Sequence, residues 1–410
     1  MGLKRLAKVL QDSLHSLEQE GRLKGRENII TGIKKAEGEK GPRYFLKGWE
    51  GKPFIRMNSN SYLGLSLRQE MIAAGEEAAR QFGTGPGAVR FISGTLQLHR
   101  QLEQKLAAFH KREDAIIFSS AYATVLGVLT PLITADTIII SDELNHNCII
   151  NAIRLSRPLD KIVYKHLNMQ ELEDELKESI GKAKRIIIIT DGIFSMRGDN
   201  APLQAISRLV KDYEQNFSEG IIFVVDDSHG VGCFGPTGRG TEEYTQADGV
   251  DILIGTLGKA FGVNGGYAAS SQTVVTYLRE SAPLYIYSNP ISAADAAEAY
   301  QALTIIDSEE GQTILQHLRK MTKKFEAGLK ELDYEIIESD HPIVPLLVRD
   351  TKKTKELGKF LIENGILATG LNFPVVPRGD EEIRFQVNAD HTPLDIDTVL
   401  AVLKEWKNLS

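Results

Sequence analysis

Five short runs of β-branched and aliphatic residues, at 115–118, 137–140, 185–190, 221–226 and 252–255, alternate with segments of helical spacing at 97–110, 169–180 and 203–213. This alternation constrains the fold more than any other feature of the chain. A strand that is apolar at successive positions is buried on both faces, and strands separated by helices are joined by crossovers. The centre of the chain therefore predicts an α/β unit with a mainly parallel sheet between two helical layers. After about residue 290 the pattern changes to long helices over 293–332, strand-like pieces near 335–348 and 382–387, and a last helix from Pro393, which predicts a second, α+β unit. The expected division is an N-terminal helix and arm at 1–58, a large domain at 59–290 and a small C-terminal domain at 291–410. A chain of 410 residues is long enough for two cores with a deep pocket.

Composition excludes several classes of partner. Net charge is −7 and the basic residues are scattered rather than gathered in a stripe, which argues against nucleic acid. No run approaches the ~18 apolar residues a membrane span needs. The first 21 residues read as an amphipathic helix with acidic residues, unlike a signal or transit peptide, and Leu6 stands where myristoylation wants a hydroxyl. The expectation is a cytoplasmic protein. Cys148 and Cys233 lie far apart with no CxxC pair, so neither a disulfide framework nor a cysteine metal site is suggested.

In doubly wound sheets, ligands bind beyond the carboxyl ends of the strands. Ser119-Ser120, Asp191 to Ser195, Asp226 to His229 and Thr256 to Lys259 all fall there. Lys259 follows a buried strand and is flanked by glycines. A desolvated lysine loses its proton readily and attacks aldehydes, although a lysine that merely caps a strand end fits the same position. A Walker phosphate loop is excluded, because two residues rather than four separate the glycine from Gly258-Lys259, and Ala260 follows. Asp226 and His229 offer a carboxylate and an imidazole from one loop. That pair suits a pyridine ring kept protonated at nitrogen and hydrogen-bonded at a phenolic oxygen; a metal site with Asp227 and a helix cap are the alternatives. His146 starts a helix and is either structural or placed flat on such a ring. Ser120, Ala121 and Tyr122, opening a helical stretch from Ala123, offer backbone N–H groups to a phosphate. The glycines at 83, 85 and 87 lack the strand and spacing of a dinucleotide fingerprint and read as a tight turn.

These pieces, in this order, resemble the α-oxoamine synthases, pyridoxal-phosphate enzymes of the fold-type I aminotransferase-like class. The resemblance rests on NSYLGL at 60–65, VRFISGT at 89–95, SDELNH at 141–146, DGIFSM at 191–196, VDDSHG at 225–230, GTLGKA at 255–260 and Ile383-Arg384, and spans nearly the whole chain. It implies that Lys259 carries pyridoxal 5'-phosphate covalently, Asp226 pairs with the ring nitrogen, His229 contacts the phenolic oxygen, His146 stacks on the ring and Ser195 lies beside it. Ala121, Tyr122 and Thr256 would hold the phosphate, with Ser288 and Asn289 of a neighbouring subunit, so a homodimer with shared sites is implied. Asn60 and Arg384 would grip the substrate carboxylate, a task suited to arginine's planar fork. The implied reaction condenses a small amino acid, glycine favoured, with an acyl-CoA and releases CoA.

Within the family, NFPVVPRG at 372–379, ADHT at 389–392 and NMQEL at 168–172 look closest to glycine C-acetyltransferase. An 8-amino-7-oxononanoate synthase or a longer-chain, serine palmitoyltransferase-like reading is the alternative, and a catalytically silent partner subunit is disfavoured by the presence of Lys259. Four positions depart from the family pattern: Asn147, Cys148, Arg197 and Pro290. The first two adjoin His146 and bear on substrate choice rather than on the cofactor.

Overall fold

The computed structural model describes residues 2–20, 22–23 and 27–409. Strands β1 (Asp114–Phe118), β2 (Thr137–Asp142), β3 (Asp160–Tyr164), β4 (Arg185–Asp191), β5 (Ile221–Asp226), β6 (Ile252–Thr256) and β7 (Gly266–Ser270) form one sheet. Its order is β1-β7-β6-β5-β4-β2-β3. Strands β3, β2, β4, β5 and β6 run parallel to one another, while β7 is antiparallel to both β6 and β1. This is the mainly parallel sheet expected from the alternating pattern, in the fold-type I arrangement that the family resemblance implies. Strand β4 illustrates why: Ile186 and Ile188 pack into the core on one face of the sheet, and Ile187 and Ile189 into the core on the other. A strand dry on both faces has no use for polar alternation.

Two strands lie outside the runs read from sequence. β3 is an edge strand, largely exposed except at Tyr164, and its Asp160 and Lys161 hide it from a search for apolar runs. β7 is GYAAS, with small residues where β-branched ones are usual. A Cβ at Gly266 would lie 2.4 Å from the backbone nitrogen of Ala121, so this strand has no side chain where a helix N-terminus passes over it. That helix, Ala121–Leu132, starts two residues before the expected Ala123, because Ser120 takes the cap position and its hydroxyl accepts from the Ala123 N–H at 3.1 Å.

Beyond the sheet, the helical stretch that begins at residue 293 is two helices, Ala293–Ile306 and Glu309–Glu331. They part at Asp307-Ser308, where the Ser308 hydroxyl caps the second helix by accepting from the Gly311 N–H at 3.3 Å. A three-stranded antiparallel sheet follows, with Glu382–Gln386 between Ile343–Leu347 and Thr369–Leu371. Ile366–Leu367 pairs in parallel with Ile55–Arg56, tying the two ends of the chain together. Helix Gly2–Gln19 buries none of its residues, and Leu3, Leu6, Leu10 and Leu14 are exposed along it. Among the described residues, no helix is long and apolar enough to cross a membrane.

Candidate active site

The parallel strands deliver their last residues to one edge of the sheet. Asp191 ends β4, Asp226 ends β5, and the two are register partners across the ladder. Lys259 sits three residues past the end of β6, whose Ile254 is in register with Asp226. The turn after Lys259 depends on Gly262 (φ +72°), where a Cβ would also meet the Ser66 nitrogen at 2.8 Å. One cavity is lined by Ala121, Tyr122, His146, Cys148, Asp191, Ile193, Ser195, Asp226, Ser228, His229 and Lys259. Groups scattered over 139 positions of sequence thus converge on a single small volume.

Asp226 is buried. Its Oδ1 accepts from the Ser228 N–H at 3.2 Å and the Ser228 hydroxyl at 2.6 Å, and the Cys148 thiol approaches Oδ2 at 3.7 Å. Those bonds fix one face of the carboxylate. The adjacent Asp227 points the other way, as strand alternation requires, and binds the Thr241 N–H at 2.7 Å and hydroxyl at 2.6 Å. Glycines 192, 230 and 240 leave it room, since a Cβ at any of them would fall within 2.2 Å of its oxygens. Asp227 therefore does not share a ligand with Asp226 and His229; it anchors the loop.

Burial pulls the Lys259 amine down to about 8, with Asp226 and Asp191 opposing that shift and Arg384 adding to it. The amine is thus partly neutral near pH 7–8. Burial, and then the neighbouring Asp226, push the Asp191 carboxyl well above the usual range. Asp191 Oδ2 accepts the His146 N–H at 3.0 Å, and Asn145 Oδ1 accepts the Asp191 N–H at 2.8 Å, which holds the start of helix Asn147–Leu155 against the sheet. His146 caps that helix and contacts the Cys148 thiol at 2.9 Å through Nδ1.

His229 is buried, and its proton affinity lies well below that of free imidazole, first through burial and then through Lys259 and Arg384. Its Nδ1 is 2.7 Å from the Tyr62 hydroxyl, and its backbone carbonyl accepts from His341 Nε2 at 2.8 Å and from the Cys233 thiol at 3.1 Å. The neutral ring is clamped from two sides.

The expected site residues separate into two sets. Lys259, Asp226, His229, His146, Ser195, Ala121 and Tyr122 meet in the cavity. Thr256 is buried just below it, accepting the Gly258 N–H at 3.1 Å. Asn60 and Arg384 stand behind His229: the Tyr62 hydroxyl reaches Asn60 Oδ1 at 3.4 Å, and the Arg384 Nε is buried with no hydrogen-bond partner. Ser288 and Asn289 lie outside the cavity lining. Asp191 and Ser228 were expected at the ligand-binding edge without a specific role, and Tyr62 and Gln386 received none from the sequence. For Asp191 a signal existed, since it ends its strand as Asp226 does; Tyr62 sits 167 residues from its partner and gave none.

Of the departures, Arg197 is held by Asp199, whose Oδ2 accepts from Nε at 2.8 Å, and Asn147 Oδ1 accepts from the Tyr122 hydroxyl at 3.0 Å. Cys148 fills the space behind His146. Pro290 is buried, and nothing further in the structure explains it.

Comparison with known proteins gives a consistent result. Residues 52–403 match the family described as aminotransferase class I and II. An 8-amino-7-oxononanoate synthase of Bacillus pumilus is 38% identical over 397 residues, covering 97% of this chain and 96% of that protein. A mitochondrial 2-amino-3-ketobutyrate coenzyme A ligase of Bos taurus is 37% identical over 405 residues, covering 98% and 92%. Among solved structures, the serine palmitoyltransferase of Sphingomonas wittichii superposes with a TM-score of 0.87 over 99% of this chain and 98% of that one, at 24% identity.

Proposed function

The chain belongs to the aminotransferase class I and II family and, within it, to the α-oxoamine synthases, and from that premise we propose that it condenses glycine with acetyl-CoA on pyridoxal phosphate held by Lys259. The observation that carries this reading is the depressed amine of Lys259 at a cavity that the fixed carboxylate of Asp226 also lines. The donor set fits the cofactor: an aldehyde-reactive amine, an acid for the ring nitrogen, a neutral imidazole for the phenolic oxygen and a helix N-terminus left open by Gly266.

When bound, pyridoxal phosphate supplies a reactive aldehyde and a cationic ring able to absorb an electron pair. The Asp226 carboxylate would keep a proton on the ring nitrogen. His146 would lie against the ring, and His229 would donate to its phenolic oxygen. The N–H groups of Ala121 and Tyr122 and the Thr256 hydroxyl would hold the phosphate, with Ser195 beside the ring. The neutral Lys259 amine, poised near 8, would be the group that takes a proton from the α-carbon of a bound amino acid. Arg384, whose buried Nε lacks a partner, and Asn60 bind the amino-acid carboxylate.

The proposal includes a homodimer in which Ser288 and Asn289 of a second copy complete the phosphate site, and a cytoplasmic location. A second reading keeps the site and changes the acyl donor, because relatives at 38% identity carry the name 8-amino-7-oxononanoate synthase. Release of CoA should be measured with glycine, alanine and serine against acetyl-, pimeloyl- and palmitoyl-CoA. Fastest turnover with glycine and acetyl-CoA is expected; a preference for alanine with pimeloyl-CoA selects the second reading. A protein that takes up no pyridoxal phosphate would overturn both.

A further inference from the structure

We propose that Tyr62 is a positioning residue that sets the tautomer of His229. The inference rests on the proposed reading of His229 as a donor to the cofactor's phenolic oxygen, and it starts from a count of protons. Tyr62 is fully buried and has one hydroxyl proton with two acceptors in reach, His229 Nδ1 at 2.7 Å and Asn60 Oδ1 at 3.4 Å. If the proton goes to Nδ1, the other ring nitrogen of His229 must carry the ring's hydrogen and can donate into the cavity. If it goes to Asn60, Nδ1 is protonated instead and Nε2 can only accept. The neighbouring His341 follows the same logic: Ile343 N–H donates to its Nδ1 at 3.2 Å, so its Nε2–H donates to the His229 carbonyl.

At 2.7 Å against 3.4 Å, His229 Nδ1 is the better-placed of the two acceptors, so the Tyr62 proton goes there and His229 presents Nε2–H to the cavity.

The tautomer can be read without cofactor. In apoprotein labelled with 15N-histidine, long-range proton–nitrogen correlation spectra, assigned with His229→Gln, should show His229 as the Nε2–H form in the wild type. In Tyr62→Phe, the Nδ1–H share should rise about fivefold, the loss expected for one buried hydrogen bond. A wild-type Nδ1–H tautomer, or unchanged populations in a folded Tyr62→Phe, would overturn the assignment. In the holoenzyme, Tyr62→Phe should shift the pH midpoint of the cofactor's visible band, and a midpoint equal to that of the wild type would likewise overturn the assignment.

Discussion

His229 and His166 stand at the same edge of the sheet, on loops after β5 and β3, and burial pushes both toward neutrality. They end on opposite sides of the physiological range. The ionic groups that act on His229 are Lys259 and Arg384, and its proton affinity falls well below that of free imidazole. His166 lies between Asp142, 3.0 Å from Nδ1, and Asp199, 3.4 Å from Nε2, and these acids outweigh burial and push it up to about 9. The Phe194 ring meets its edge with centroids 4.4 Å apart. The charged histidine therefore fastens the 192–200 loop that carries Ser195, while the neutral one faces the cavity. Depth of burial and the sign of the neighbouring charges together decide which histidine is neutral and which is charged.

The comparison breaks most visibly at Lys259. Lys259→Met should cost at least about 10³-fold in turnover, since it removes both the covalent anchor and the proton carrier. It should also raise the proton affinity of His229 without restoring it fully, because burial remains its largest cause. The same variant should be more stable as apoprotein at pH 7. A lysine whose folded value is about 8 against 10.5 penalises the fold fully below pH 8, and the penalty fades as pH rises toward 10.5. Thermal melts should show a gain on the order of 1–2 kcal/mol that disappears in alkali.

Asp226→Asn keeps the shape of the site and removes its charge. A loss of about 10²- to 10³-fold in turnover, with cofactor still bound, is expected from steady-state kinetics and the visible spectrum. His166→Gln tests the other half of the comparison. A histidine raised from 6.5 to about 9 stabilises the fold fully below pH 6.5, and that stabilisation is lost as pH rises through about 9. The variant should be destabilised on the order of 1–3 kcal/mol at pH 6 and far less at pH 9.5, by melts at both values. Cys148→Ser should have the smallest effect, within about threefold in cofactor affinity by equilibrium titration, because a hydroxyl can replace the thiol beside Asp226.

Much of this arrangement is written locally. Runs such as RIIIITD and IIFVVD announce strands dry on both faces, and their final acids announce the chemical edge of the sheet. Lys259, Asp226 and His229 were recognisable because each lies within a few residues of such a strand end. β7 was not, because its small residues answer to the helix N-terminus packed above it rather than to any preference of its own. His146 was ambiguous in sequence, since a helix-starting histidine and a cavity-lining one look alike until Asp191 and Cys148 surround it.

Sequence alone determined the alternation of strand and helix, the order of the chemical loops and the identity of the groups at their tips. These depend on periodicity and on chain neighbours, which the linear order contains. Only the tertiary structure decided that Asp227 turns away, that Arg197 is tied to Asp199, and that Tyr62 stands within reach of both Asn60 and His229. Proton affinity and hydrogen-bond direction are set by groups that the chain separates and the fold brings together, as with Tyr62 and His229, 167 residues apart in sequence and 2.7 Å apart in space.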